Sequence, residues 1–223
     1  MSSTASNLFS YPSGTDDPLE LLPHTPVREY KKNEVIHDAE DRPEYLYLVI
    51  DGRIKASRQP DGREVILDFY HKDDFFGEAA FLGAERYGEQ AAALDRTTVM
   101  AWSVADLRRL MGRTPTLGPA LLRVVARKLA DANERVESFC LDPINRRLVK
   151  ALLRLGARSG QASETPLLHV PPVTHEQLAR YVGTSREIVT QYMNQFRRDQ
   201  LLKYSRRGLE LDLEALRQYL AKA

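Results

Sequence analysis

A single cysteine, Cys140, in 223 residues excludes an internal disulfide and also an iron–sulfur cluster, which takes several cysteines. No apolar run approaches the roughly 18 residues needed to cross a bilayer. The start of the chain lacks the charged segment and apolar stretch of a secretory signal. A reducing cytoplasm, with no membrane partner, is the expected setting. The five histidines (His24, His37, His71, His169, His175) are scattered, with no pair at metal-ligand spacing. No nucleophile stands beside a base and no glycine loop could cradle a phosphate, so neither an enzyme nor a resident cofactor or metal is expected. Lys plus Arg (32) and Asp plus Glu (31) nearly cancel, leaving a net charge of +1.

That balance conceals an asymmetry. Residues 1–142 hold 18 Lys and Arg against 24 Asp and Glu, a net of −6, whereas residues 143–208 hold 12 against 4, a net of +8. An acidic front half is joined to a basic module. Positive charge gathered on one module is the electrostatic footprint of a nucleic-acid binder, and it predicts steeply salt-dependent affinity.

Within the basic module, residues 174–202 read as two short helices around a glycine. Thr174 is an N-cap with Gln177 at the capping-box position, and Leu178, Ala179 and Val182 form an apolar face. Gly183 supplies the positive φ that ends the helix. Thr184 is expected to cap the second helix, with Glu187 at its box position. Ile188, Val189, Tyr192, Met193 and Phe196 then recur at helical spacing. The exposed first turn offers Ser185, Arg186, Glu187, Thr190 and Gln191, the residue types that read base edges in a major groove. The segment 201–212 reads as two strands around a turn at Arg206, Arg207 and Gly208, a wing whose tip arginines would follow phosphates. The implied partner is double-stranded DNA.

Ahead of this module, residues 1–17 are small, polar and turn-rich, and a flexible tail is expected. Residues 18–115 give short β segments with turns between them: 45–50, a hairpin turn at Asp51-Gly52, 53–57, a turn at Pro60-Asp61-Gly62, 64–69 and 97–104. A short helix over 105–111 follows. From Thr116 to Leu141 a long helix carries Leu122, Val125, Leu129, Ala132, Val136 and Phe139 at spacings of 3, 4, 3, 4 and 3, a heptad seam that favours pairing with a second copy. The break at Leu141-Asp142-Pro143 starts the domain 142–223 and is the natural hinge. Cys140 sits beside it.

A β-roll, a dimerising helix, a hinge and a winged helix-turn-helix, in that order, resemble the CRP/FNR family of bacterial transcription regulators over about residues 20–212. Phe76-Gly77-Glu78 and residues 184–189 carry the resemblance, with Asp51-Gly52 and Leu141-Asp142 in support. It implies an α+β fold with a cyclic-nucleotide-binding-type roll, and a homodimer on a two-fold symmetric operator. Arg186 and Glu187 fall on base-reading positions, and Gln191 stands where the catabolite activator branch has Arg. RNA polymerase contact is implied for the loop 156–165. Family members that bind cyclic AMP use a Gly-Glu pair, matched by Gly77 and Glu78, then an Arg-Ser pair, where this chain has Glu89 and Gln90. The base-contacting pair on the long helix is Ala132 and Asn133 here. A carboxylate repels a phosphate, so cyclic AMP control is not expected. The alternative is a cyclic-nucleotide-dependent regulator in which Arg86, three residues out of register, joins Glu78.

Overall fold

The computed structural model describes residues 17–158, 167–205 and 208–222. Asp17, assigned to the tail from sequence, instead caps a short helix α1 (Pro18–Leu21) by accepting from the Leu19 amide. The chain then forms β1 (Arg28–Tyr30), β2 (Val35–His37), β3 (Tyr45–Asp51), β4 (Ile54–Arg58), β5 (Val65–Tyr70) and β6 (Phe75–Phe76), followed by helix α2 (Ala79–Leu82), β7 (Gln90–Ala93) and β8 (Thr97–Ser103). These strands make two antiparallel four-stranded sheets, ordered β1-β8-β3-β6 and β2-β7-β4-β5.

Asp51-Gly52 is a turn, but the hairpin expected there does not form. β3 pairs with β8 and β6 while β4 pairs with β5 and β7, so the chain changes sheet at Gly52. Gly52 has φ of 86°, and a Cβ there would come within 2.6 Å of the Arg96 carbonyl, so only glycine fits this crossing. The turn at 60–62 does close the β4–β5 hairpin.

β3 is buried on both faces, which explains its unbroken apolar run. Tyr47 and Val49 face the roll interior with Ile54, Phe76 and Val99. Leu46 and Leu48 face outward, beneath helices α3 (Val104–Arg113) and α4 (Leu117–Leu141), among Trp102, Leu107, Leu117 and Leu121. Burying each such side chain contributes about 1.5–3 kcal/mol. Thus α4 docks its first turns on its own roll. Farther along, its seam is open: Leu122, Leu129 and Val136 are 60–64% exposed. Val125 is half-buried. Phe139 is 43% exposed, with its ring edge beside Gly183 and the Arg147 guanidinium 5.2 Å from the ring centre. Cys140, beside it, is exposed.

After Asp142 come α5 (Ile144–Arg158), β9 (Leu167–Val170), α6 (His175–Val182), α7 (Arg186–Arg198), β10 (Leu202–Ser205), β11 (Gly208–Asp212) and α8 (Leu213–Lys222). The wing is three-stranded, β10-β11-β9. Gly156, placed in a loop from sequence, lies inside α5 and is buried, since a Cβ there would strike Leu168. Residues 159–166 of that loop, and Arg206 and Arg207 of the wing tip, lie outside the described residues.

Candidate functional site

The two-helix unit is built as its sequence implies, with one shift. Thr174 caps α6, accepting from the Gln177 amide at 3.1 Å while the Gln177 side chain accepts from the Thr174 amide at 2.9 Å. Such caps contribute about 1 kcal/mol. Gly183 ends α6 at φ 69°. The cap of α7 is Ser185, not Thr184, its hydroxyl accepting from the Ile188 amide, so Arg186 is the first helical residue. Leu178, Val182, Val189, Met193 and Phe196 are buried together and lock α6 against α7. That burial turns Arg186, Glu187 and Gln191 out to solvent on one face. Thr190 is half-buried and its hydroxyl is engaged within the protein, on the Arg186 carbonyl and His175.

The second site lies where Gly77-Glu78 meets α4. Gly77 has φ of 77° and abuts Tyr45 and Tyr47, so it places Glu78 without room for a side chain of its own. Glu78 forms an ion pair at 2.7 Å with Lys128 of α4, which also stands over the Tyr70 ring, 4.5 Å from its centre. Glu89 lies beyond Tyr70, 3.5 Å from its hydroxyl. Burial, then the neighbouring Glu78 charge, pushes the Glu89 carboxyl up to about 7. Gln90 turns away to Asp38, at 3.0 Å. Arg86 is not brought to Glu78: it is exposed and paired with Glu40. The arginine beside Glu89 is Arg58, which donates to the Gly88 carbonyl. Ala132 and Asn133 are exposed on α4.

Two family models match the chain: a cyclic nucleotide-binding domain over residues 27–114 and a Crp-like helix-turn-helix domain over residues 146–219. It is 31% identical over 160 residues, 71% of either chain, to the CRP-like cAMP-activated global transcriptional regulator of Mycobacterium tuberculosis. The chain belongs to the CRP/FNR family. It is 28% identical over 183 residues, covering 78% of this chain and 84% of the other, to the cAMP-activated global transcriptional regulator CRP of Salmonella typhimurium. The structure of FixK2 from Bradyrhizobium japonicum superposes with a TM-score of 0.77 at 21% identity, covering 88% of this chain and 96% of that one. No helix among the described residues is long and apolar enough to cross a membrane. As a CRP/FNR protein the chain is a transcription regulator whose DNA-binding element is the α6–α7 unit.

Several residues that organise this CRP/FNR chain escaped sequence reasoning. Arg158, at the end of α5, holds Asp68 with two hydrogen bonds of 2.8 Å and Asp74 at 3.0 Å, fastening the DNA-binding module to β5. Ile66 and Phe69 of β5 are buried in the core of that module, with Phe69 edge-on to Tyr181 at 5.2 Å. Arg135 stands 4.3 Å from the centre of the Tyr181 ring and donates to the Leu67 carbonyl. Between α4 and α5, Asp142 takes hydrogen bonds from Ser138 at 2.6 Å, Lys150 at 2.5 Å and Arg146 at 3.2 Å. Burial opposes its charge, but these donors outweigh burial and hold the carboxyl below its ordinary value. The helix boundary at Leu141-Asp142 was legible. The cations that fasten the hinge come from the next helix and were not.

Proposed function

We propose that the protein binds a two-fold symmetric operator as a homodimer, through one α7 helix from each copy, and that it does so without cyclic AMP. It acts by binding and performs no reaction. Support for the pairing comes from α4, where Leu122, Leu129 and Val136 form an open apolar row seven residues apart. Paired along that row, two recognition helices would meet successive major grooves about 34 Å apart. Arg186 would grip guanine with two hydrogen bonds and Glu187 would accept from cytosine. On resemblance alone, RNA polymerase is a further partner.

The observation that carries cyclic AMP independence is Glu89. It stands at the position where the nucleotide-binding branch has its phosphate-neutralising arginine, beside a Glu78 already committed to Lys128. A cyclic phosphate brought there meets the Glu89 carboxyl where that branch offers a cation, and as Glu89 ionises above about pH 7 the repulsion in a half-buried site is little screened. Calorimetric titration of the full chain with cyclic AMP tests this: no binding heat at millimolar nucleotide is expected, and saturable binding refutes it.

A second reading is favoured by the match of residues 27–114 to a cyclic nucleotide-binding domain and by the cAMP-activated descriptions of the Mycobacterium tuberculosis and Salmonella typhimurium relatives. In that case the phosphate needs a cation, and Arg58 donates to the carbonyl of Gly88, next to Glu89, whereas Arg86 faces solvent paired with Glu40. Loss of nucleotide binding in Arg58→Ala or Arg86→Ala, with the fold intact, would identify which one serves.

A further inference from the structure

His175, Thr190 and Tyr204 come from three elements and meet at hydrogen-bond distance. His175 opens α6, Thr190 lies one turn into α7, and Tyr204 belongs to wing strand β10. His175 Nδ1 is 2.9 Å from Thr190 Oγ1, and its Nε2 is 2.9 Å from the Tyr204 hydroxyl. Thr190 Oγ1 in turn is 2.8 Å from the carbonyl oxygen of Arg186.

Elementary donor and acceptor chemistry assigns each proton. A carbonyl only accepts, so the single Thr190 hydroxyl proton points at Arg186. The Thr190 oxygen must therefore accept, which requires a proton on His175 Nδ1. Burial, then the positive charge of Arg186, hold His175 below its ordinary value, so at neutral pH the ring carries one proton. Nε2 is then bare and accepts from the Tyr204 hydroxyl. The chain runs in one direction: Tyr204 to His175, His175 to Thr190, Thr190 to the backbone of Arg186.

We propose that this directed chain is a positioning unit that ties the wing and the first helix to the first residue of the recognition helix, and so sets where Arg186 stands in the groove. The inference rests on α7 being the base-reading helix. His175 and Tyr204 act through Arg186 and need touch no base themselves. Bidentate recognition of a guanine edge depends on the angle of the guanidinium, so a small rotation of the first turn of α7 is enough to lose it. Phosphate contacts made by the wing would reach Arg186 along the same three side chains.

The test combines a spectroscopic and a binding readout on the full chain. Long-range proton–nitrogen NMR of the free protein is expected to give a protonated Nδ1 and a bare Nε2 for His175, and Tyr204→Phe to shift the ring toward the other tautomer. Against a duplex carrying the cognate operator, Tyr204→Phe and Thr190→Val are each expected to lower affinity by about threefold to tenfold. Thr190→Ser, which keeps the hydroxyl, is expected to bind as the parent does. A protonated Nε2, or Thr190→Val binding as tightly as the parent, overturns the proposal. Arg186→Ala separates the two layers of the argument. If it binds as the parent does, the base-reading assignment fails. If it weakens binding while the relay variants do not, only the relay fails.

Discussion

Glu89 is the residue on which the regulatory reading turns, and its own titration is measurable. Its carboxyl is raised to about 7 by burial and by Glu78. In the unfolded chain a glutamate titrates near 4.3. Below that value both states are protonated and Glu89 has no effect on stability. As pH rises through the interval up to about 7, the unfolded state ionises first, and the folded state is left with a destabilising term that is complete above pH 7. Glu89→Gln should therefore raise the melting temperature at pH 8 and leave it unchanged near pH 4. The gain should be on the order of 1–3 kcal/mol, discounted for partial solvent access. Equal melting curves at pH 8 would show that Glu89 is not held in this environment. The expectation that Glu89 opposes a phosphate came from the register of the strand start. Its neighbours Lys128, Tyr70 and Arg58 were not legible there, because each comes from an element distant in sequence. His175 was similarly hidden: a lone histidine after an N-cap gives no sign that a wing tyrosine will reach it.

At the scale of elements, α4 presents two different faces. Leu117, Ala120 and Leu121 hold it to the roll, and the row Leu122, Leu129, Val136 is left open. The heptad spacing revealed the second face. The first was hidden because the same 3.6-residue period serves docking on a sheet as well as pairing with a helix. Substituting Leu129 by Glu places a charge in the open row without touching the docked face. Sedimentation should then show a monomer with unchanged secondary structure, and operator affinity should fall about 100-fold through loss of bivalent binding. A Leu129→Glu protein that still sediments as a dimer would move the interface elsewhere. Elements elsewhere in the chain show the limits of local pattern. Thr184 and Ser185 are both good caps, and choosing between them required the conformation of the chain leaving Gly183. Asp51-Gly52 marked a turn correctly, yet no two-residue signal says whether the strand beyond rejoins the same sheet.

Across the whole molecule the β-roll and the helix-turn-helix module share one core. Ile66 and Phe69 enter it from β5, and Arg158 clamps Asp68 and Asp74 across the joint. Tyr70, next in the same strand, meets Lys128 and Glu89. A change at Glu78 thus has a short physical path to the DNA-binding module, through a single strand. The change from an acidic to a basic stretch near Asp142 is visible in the sequence. The shared core is not, because β5 looks like any half-buried strand until its partner is known. Acid should loosen this assembly. His37, stacked on Tyr87 at 3.7 Å, and His71, beside the joint, are both lowered to about 4, chiefly by burial. An unfolded histidine titrates near 6.5. Between those values the unfolded chain binds the extra protons, so the contribution of these two histidines is full above about pH 6.5 and is lost toward pH 4, opposite in sign to that of Glu89. Denaturant melts should show that decline, and His37→Phe should flatten it. An unaltered pH profile in that variant would exclude His37 as a source.

The resting protein is expected to recognise its operator without an effector. Fluorescence anisotropy of a labelled duplex with two-fold symmetric TGTGA-like half-sites tests it most directly, measured with and without cyclic AMP at two salt concentrations. Tight binding without nucleotide is expected, unchanged by adding it and weakened steeply by salt because of the +8 charge over residues 143–208. Binding that appears only when cyclic AMP is present would contradict it, and would mean that Arg58 or Arg86 is drawn to the cyclic phosphate despite Glu89.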